Sequence, residues 1–407
     1  MHIGINAQLL SFSQNYRNGG VSRYIRFLLT ELAKRPGQHE YTVFVNGRDV
    51  VERLDALDAH SPQITCIPSA WSESQPAARI VWEQFTLPSL IRQRHIDVLH
   101  SPVNVLPERL PSRCAGVVTL HDLAFLRFPQ VLTRPKRVYH RIFTVRSIRK
   151  ASRVIAVSES TKQDAIELVG VAPERVQTVY TCLDAKFSQL PDAEAIHNFR
   201  EKQGLQGEGQ GYKGYILYLG TLEPRKNVTT LIEAYARLRT RYQRAEKLVL
   251  AGGKGWLYDA IFDRVRQLGL ESEVVFPGFV SDSEQVLWYA AAAAFAYPSL
   301  YEGFGIPVTE ALACGTPVVT SNVSSLPEAG ANIALTVDPL DVEAMTEALY
   351  KALTDVAYRQ QCRNMASTIA QQFSAQRMVE QTIDVYEQAA MHHTAIQKRI
   401  HYVSFVR

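Results

Sequence analysis

The chain has 407 residues, enough for two domains that each bury a core. Hydrophobic residues make up 46% of it and charged residues 21%, an ordinary globular balance. The net charge of +4 is too small to define a nucleic-acid binder, and the five scattered cysteines form no CxxC pair, which argues against a zinc site or disulfide framework and for a reducing compartment. The longest apolar run, Val286–Tyr297, has 12 residues and is too short to span a bilayer. The opening Met1-His-Ile-Gly-Ile-Asn-Ala7 reads as a strand start, so no signal peptide is expected. The expectation is a cytoplasmic protein, soluble or peripheral on the inner face of the membrane.

The first strand, Ile3–Asn6, leads to a polar loop that carries Gly19-Gly20. Val21, Tyr24, Ile25, Leu28, Leu29 and Leu32 then recur at helical spacing. Tyr41–Val45, Ile96–His100 and Gly116–Leu120 read as strands. Short apolar strands alternating with helices predict a parallel sheet covered on both faces. His121 and Asp122 follow a strand directly, and ligands of open α/β sheets sit at the carboxyl ends of strands. A histidine there is either a hydrogen-bonded structural residue or a ligand contact. Arg134–Lys150 holds seven Lys/Arg and no Asp/Glu, with Val138, Ile142, Val145 and Ile148 at helical spacing. Such a basic amphipathic helix is either a solvated face or a surface for an anionic membrane or a phosphate-bearing acceptor. Arg153–Val157 is a further strand, Ser158 is placed to cap a helix over Thr161–Leu168, and Val176–Tyr180 closes the first half.

Composition shifts between Asp184 and Gly214, where a helical segment, Asp192–Gln203, precedes a glycine-rich tract. Gly209-Gln-Gly211-Tyr-Lys-Gly214 matches the letters G-x-G-x-x-G. No strand precedes it and the strand Tyr215–Leu219 follows it, so it reads as a linker rather than a dinucleotide site. Next come Gly220-Thr-Leu-Glu-Pro-Arg225-Lys226-Asn227 and a helix through Leu231, Ile232, Ala234 and Tyr235, opened by Asn227 or a neighbour. The strand Lys247–Leu250 ends in Gly252-Gly-Lys254-Gly255, which lacks P-loop spacing. Val274–Phe276 leads into Pro277-Gly-Phe-Val-Ser-Asp282. Ala294–Tyr297, Pro317–Thr320 and Ala334–Val337 read as strands, with a turn over Ser324–Gly330. Helices follow over Val342–Ala352, Tyr358–Gln372 and Ala375–Gln397.

The most informative stretch is Pro298-Ser-Leu-Tyr-Glu302-Gly-Phe-Gly-Ile-Pro307-Val-Thr-Glu310-Ala-Leu-Ala-Cys-Gly315-Thr-Pro317. Gly303 and Gly305 permit a sharp turn and close approach of a ligand to the backbone. Pro307 fits the first helical position, Glu310 falls in the first turn, and Gly315 and Pro317 stop the helix. A helix start suits phosphate, because its unpaired N–H groups and dipole face an anion. Carboxylates repel phosphate, so Glu302 and Glu310 are expected to accept hydrogen bonds from nearby hydroxyls. A nucleotide-sugar brings diphosphate, ribose and sugar hydroxyls together. Arg225-Lys226, at another strand-to-helix turn, adds two cations able to neutralise a diphosphate without metal, and the chain has no Asp-x-Asp pair. Either glutamate alone, or Arg225-Lys226 alone, also reads as an ordinary surface group. Only the combination carries the inference.

With these motifs in place, the chain resembles the retaining glycosyltransferases of family 4, and within the group 1 glycosyl transferases the bacterial mannosyltransferases. The resemblance covers nearly the whole chain. It rests on Gly19-Gly20, Leu120-His121-Asp122, Ala156-Val-Ser158, Gly220 to Asn227, Pro277-Gly-Phe-Val280 and, above all, the two glutamates that bracket Gly-Phe-Gly. It implies the GT-B fold: two Rossmann-like, doubly wound parallel-sheet α/β domains facing a cleft. Residues 1–186 would bind the acceptor, 187–374 would bind the nucleotide-sugar donor, and a C-terminal helix over 375–407 would pack back towards the first domain.

The resemblance also implies roles. Arg225 and Lys226 would hold the donor diphosphate, Glu310 the ribose hydroxyls, and Glu302 with the backbone of Gly303, Phe304 and Gly305 the sugar and its phosphate. Gly220, Thr221 and Ile306 would complete the donor site, with Phe279, Val280 and Asp282 by the base. Gly19-Gly20 would approach the diphosphate from the other domain, and His121 would contact the donor sugar. Catalysis would fall to His121, Glu302, Arg225 and Lys226. One departure stands out: many members carry Arg directly after the glycine that ends the strand, and here that position is Thr221, so Arg225 must supply more of the charge.

The implied reaction moves a hexose from a nucleotide-sugar to an acceptor hydroxyl with retention, in polysaccharide or glycolipid biosynthesis. The Glu-Pro-Arg-Lys-Asn variant points to GDP-mannose, and a UDP-sugar donor is the alternative. The acceptor would be a glycan or lipid-linked glycan, with no cofactor, metal or nucleic acid expected. The departing phosphate would take the acceptor proton, and domain closure would complete the site. The rivals are an epimerase or phosphorylase on the same fold, and a non-catalytic nucleotide-sugar-binding subunit of a polysaccharide assembly complex. Both glutamates with Arg225 and Lys226 argue against the last. Acceptor choice would lie in loops such as Leu10–Arg17 and Leu123–Pro135.

Overall fold

The computed structural model describes residues 1–13, 19–35, 37, 39–56, 61–69, 75–128, 140–206, 214–253, 255 and 258–405. The glycine tract over 209–213, Lys254, and parts of the basic segment and of the two acceptor loops lie outside them. The chain divides into two compact units, Met1–Cys182 with Ala375–Arg407, and Leu183–Ser374. The second unit begins four residues earlier than the expected 187, since Leu183 already donates its N–H to the Phe373 carbonyl at 2.8 Å.

The first unit is built on a parallel seven-stranded sheet in the order β3-β2-β1-β4-β5-β6-β7. These strands are β1 His2–Ala7, β2 Glu40–Asn46, β3 Ile64–Ser69, β4 Val98–Ser101, β5 Ala115–Leu120, β6 Arg153–Ala156 and β7 Val176–Thr178. Helix α1, Gly20–Ala33, lays Tyr24, Ile25, Leu28, Leu29 and Leu32 on one face of the sheet. Trp82, Leu87, Ile91 and Ile148 cover the other. Burying each large side chain contributes about 1.5–3 kcal/mol, which explains why the 3.6-residue spacing decides the helix's orientation.

Three elements of this unit escape the periodicity reading: a helix at Arg48–Asp55, the strand β3, and the helical run Pro76–Gln93 with a π turn at Trp82–Thr86. Strand β3 is an edge strand carrying Pro68, and three of its six residues are partly buried and two exposed. An edge strand tolerates proline and need not show a continuous apolar run.

The final helix, Ala375–Phe405, belongs to this first unit, and its Met378, Val379, Val385 and Tyr386 join the core beneath α1. Its Tyr386 hydroxyl meets His100 Nδ1 at 2.6 Å, and His100 Nε2 meets the Thr119 hydroxyl at 2.8 Å. Burial pushes the His100 imidazole down to about 3, so a neutral ring links the helix to β4 and β5.

The second unit has a parallel six-stranded sheet in the order β10-β9-β8-β11-β12-β13. Its strands are β8 Ile216–Leu219, β9 Leu248–Ala251, β10 Val274–Gly278, β11 Ala294–Tyr297, β12 Val318–Ser321 and β13 Leu335–Val337. Helix α2, Val228–Tyr242, buries Leu231, Ile232, Ala234, Tyr235 and Leu238. In both sheets the strand order reverses beside the first strand, which defines a topological switch point. In the second unit that point lies between β8 and β11, and these two strands feed the Arg225-Lys226 and Glu302 loops. Among the described residues, no helix is long and apolar enough to cross a membrane.

Candidate active site at the switch point of the second sheet

After β8 the chain turns through Gly220 and a short 3-10 turn, Pro224–Lys226, before α2 begins. The turn needs bare backbone nearby. Gly252, at φ +136° after β9, packs so tightly that an added Cβ would stand 1.9 Å from the Gly220 carbonyl oxygen. The glycines after β9 therefore serve loop packing rather than a P-loop. Asn227 sits in the left-handed region at φ 55° and does not cap α2 with its side chain. Its Nδ2 instead donates to the carbonyls of Pro298 (3.2 Å) and Pro339 (2.6 Å), tying the loop after β8 to the loop after β11.

That tie brings the charged groups together. Lys226 Nζ donates to Glu302 Oε1 at 2.5 Å and to the Tyr297 hydroxyl at 2.8 Å. Arg225 donates to Glu302 Oε2 at 3.2 Å, to the Tyr301 carbonyl at 2.6 Å and to Glu223 Oε1 at 2.9 Å. Lys226 and Glu302 are both 8% exposed. Burial alone would push the Glu302 carboxyl up, but Lys226 and Arg225 outweigh it and hold it below the ordinary range. Burial, reinforced by that carboxylate, pushes the Tyr297 phenol well above its usual value, so it stays protonated.

This arrangement changes the electrostatic expectation. Two cations face two carboxylates, so the cluster carries no net charge of its own. Arg225 and Lys226 are not bare cations waiting for a diphosphate, and any diphosphate must share their donors with Glu223 and Glu302. Glu223 lay inside the quoted motif, but its role depends on where Arg225 turns.

The Gly-Phe-Gly turn is held from beneath by two serines after β12. Ser324 Oγ donates to the Glu302 carbonyl (2.6 Å) and accepts from the Glu302 N–H (2.9 Å). Ser325 Oγ donates to the carbonyls of Glu302 (2.9 Å) and Phe304 (2.8 Å). Ser324 adopts φ 57°, a strained conformation for a non-glycine residue. The sequence shows Ser324–Gly330 only as a turn, and the place of these serines at a strand end is the one signal it offers for them. Phe304 turns its side chain onto Phe373, with ring centroids 5.4 Å apart, so only its backbone remains for a ligand.

One detail of the turn sharpens the expectation and two differ from it. Gly305 alone of the two glycines is left-handed, at φ +101°, and an added Cβ would meet Leu326 at 2.8 Å. Helix α3 runs Ile306–Ala313, so Pro307 is its second residue rather than its first. Glu310 lies beyond the first turn, because the helix starts one residue earlier and the intervening residues complete that turn. The stop signal holds, with Gly315 left-handed at φ +71°.

Glu310 enters a separate network. Its Oε2 accepts from the Tyr289 hydroxyl (2.7 Å) and from Gln285 Nε2 (3.0 Å). Gln285 Oε1 accepts in turn from Lys186 Nζ at 2.9 Å, and the same ammonium reaches the Asp282 carbonyl at 2.8 Å. Lys186, Gln285 and Tyr289 carried no motif and were not foreseen. Val280 and Asp282 are partly buried, while Phe279 is 72% exposed and offers a flat apolar face. Thr221 is exposed beside Gly220.

In the first unit, His121 follows β5 as read and donates Nε2–H to the Pro102 carbonyl at 2.9 Å. Burial lowers its imidazole pKa against the opposing pull of the Pro102 bond and Asp122, so the ring is neutral with Nδ1 as the acceptor. Gly19 and Gly20 are exposed at the start of α1. Neither has a positive φ, and a Cβ on Gly20 would meet nothing within 4 Å.

Two doubly wound parallel sheets, one with a charged cluster at its switch point, are the architecture of GT-B glycosyltransferases. A solved glycosyltransferase from Rickettsia africae ESF-5 shares this fold, with a TM-score of 0.70 and 16% identity over 95% of this chain and 98% of that one. Residues 18–187 match the Glycosyltransferase Family 4 model and residues 200–368 the Glycosyl transferases group 1 model. O-antigen chain mannosyltransferase B of Escherichia coli is 32% identical over 290 residues, covering 71% of this chain and 74% of the relative. The serotype-specific mannosyltransferase WbdA of Escherichia coli is 27% identical over 399 residues, 92% of this chain but 46% of WbdA. The chain belongs to this family of glycosyltransferases and is a glycosyltransferase enzyme.

Proposed function

We propose that the chain transfers mannose from GDP-mannose to a hydroxyl of a glycan or lipid-linked acceptor, with retention and without metal, in polysaccharide biosynthesis. The observation that carries this reading is the joint hold of Glu302 on Arg225 and Lys226 at the switch point. The names of the two Escherichia coli relatives support the mannosyl assignment.

In this reading the leaving diphosphate takes donors from Arg225, Lys226 and the N–H groups at the start of α3, which stabilise the charge that grows on it. Glu302 turns from its cations to a sugar hydroxyl. Glu310, anchored by Tyr289 and Gln285, accepts from the ribose. Phe279, Val280 and Asp282 flank the base, and Gly220, Thr221 and Ile306 line the donor. From the first unit, neutral His121 accepts from a donor-sugar hydroxyl through Nδ1, and Gly19-Gly20 gives the diphosphate room. The acceptor proton passes to the departing phosphate.

Peripheral contact with an anionic membrane from the cytoplasmic side is part of the proposal. Within His140–Lys150, Ile142 (46%) and Phe143 (37%) are exposed on a segment that also carries Arg141 and Arg146. A donor panel tests the central reading: GDP-mannose should raise the melting temperature and be consumed with acceptor in the presence of a chelator. Preference for a UDP-sugar would reverse the donor assignment, and binding without turnover on any acceptor would favour the non-catalytic reading.

A further inference from the structure

The first unit has a concave site at the opposite end of its sheet from His121. We propose that it binds a phosphate monoester. The cavity holds about 420 Å³ at the amino ends of β5, β6 and β7, where Gly116, Ser152 and Arg175 line it. β5 rises about 3.3 Å per residue, so the five residues from Gly116 place His121 roughly 17 Å away. The site therefore stands apart from His121.

Its charge is one-sided. Arg149, Lys150 and Arg175, with the imidazoles of His392 and His393 beside them, line the cavity against a single lining carboxylate, Glu108. That carboxylate is already claimed by both Lys150 and Arg146. Among the described residues, neither Arg149 nor Arg175 has a carboxylate within ion-pair distance, and Glu174 acts on Arg175 only from further away. Both guanidinium groups are nonetheless held in place. Arg149 Nε donates to the Val169 carbonyl at 2.8 Å, and Arg175 donates to the carbonyls of Arg149, at 2.7 Å, and Ala151. Carbonyls fix a guanidinium without cancelling its charge. His393 is anchored in the same way, through Nε2 to the Ser112 carbonyl at 2.7 Å.

The remaining wall is apolar. Gly116 lacks a side chain where a Cβ would stand 2.8 Å from Leu106 and 2.9 Å from Leu110, so the loop over 106–110 packs directly on β5. The volume exceeds a bare phosphate ion and falls in the range of small-molecule sites. Two fixed guanidinium groups match the roughly two charges of a phosphate monoester and its planar pairs of oxygens. The apolar wall takes the organic part. The ester is either a soluble one or a lipid headgroup.

The test titrates three probes onto the full chain: glycerol 3-phosphate, dispersed dihexanoyl phosphatidic acid, and vesicles of phosphatidic acid in phosphatidylcholine. Hydrogen-exchange protection of residues 106–116 and 145–152 reports occupancy. Saturable protection by glycerol 3-phosphate assigns a soluble ester; protection only by the acylated probes assigns a lipid. Arg149→Gln, at an exposed position, should weaken binding about tenfold or more, and Arg149→Lys should recover most of it. Lys226→Ala, in the other unit, should leave the protection unchanged. The proposal falls if no probe gives saturable protection, if Arg149→Gln binds as tightly as the parent chain, or if Lys226→Ala abolishes the effect.

Discussion

Glu302→Gln separates two roles that the charged cluster combines. The substitution keeps the shape of the side chain and removes one negative charge. Arg225 keeps Glu223 and the Tyr301 carbonyl, but Lys226, 8% exposed, is left with the Tyr297 hydroxyl and a neutral amide. Stranding a buried charge in this way costs about 3–5 kcal/mol. For a unit of this size that corresponds to roughly 6–12 °C in melting temperature.

The same change takes the cluster from no net charge to one positive charge. At roughly 8 Å and an effective dielectric constant near 20, one charge attracts another by about 2 kcal/mol, close to thirtyfold in Kd. On the proposed reading, the variant should therefore be less stable, bind GDP more tightly by calorimetry, and transfer the sugar about 10–100-fold more slowly for want of the proposed sugar contact.

The stability difference also has a pH signature. The folded Glu302 pKa is depressed from its ordinary 4.5, so its contribution is fully present above that value and lost as pH falls through the lower folded value. The melting-temperature gap between parent and variant should be flat from neutral pH to about 5 and close in stronger acid. Weaker GDP binding by Glu302→Gln would refute the reasoning, because it would mean the carboxylate supports the nucleotide instead of competing for its cations.

Three further outcomes follow from the geometry. Lys226→Ala should lower kcat for transfer by about 10²–10³, the usual cost of losing one charge-stabilising donor, and steady-state kinetics at saturating donor would show it. Glu310→Gln should act mainly on donor KM, raising it about tenfold with kcat little changed; an equal fall in kcat and kcat/KM would move this residue into the chemistry. Gly305→Ala should destabilise the second unit by about 1–3 kcal/mol in denaturant unfolding, since it forces a side chain to φ +101° against Leu326. Unchanged stability would show that the turn relaxes without cost.

Much of the fold is legible because it is written locally. Core strands such as Ala294–Tyr297 are buried on both faces and read as short apolar runs. Helices such as α1 show their buried side as a 3.6-residue spacing. Edge strand β3, with Pro68 and partial burial, has no such signature. The site motifs are legible for a related reason, because a strand end, a glycine turn and a helix start must follow one another along the chain.

The sequence by itself determined the two α/β halves, the Glu302–Glu310 turn and the pairing of Arg225 with Lys226. Only the tertiary structure decided what those groups do to one another. Lys226 meets Tyr297 and Glu302 across 71 and 76 residues, and Lys186 meets Gln285 across 99. Ser324 and Ser325 reach back more than 20 residues to hold the turn. These contacts exist because parallel strand order places β8 beside β11 and β11 beside β12, bringing distant loops to one end of the sheet. The cancellation of charge within the cluster is a property of that meeting, and no spacing along the chain encodes it.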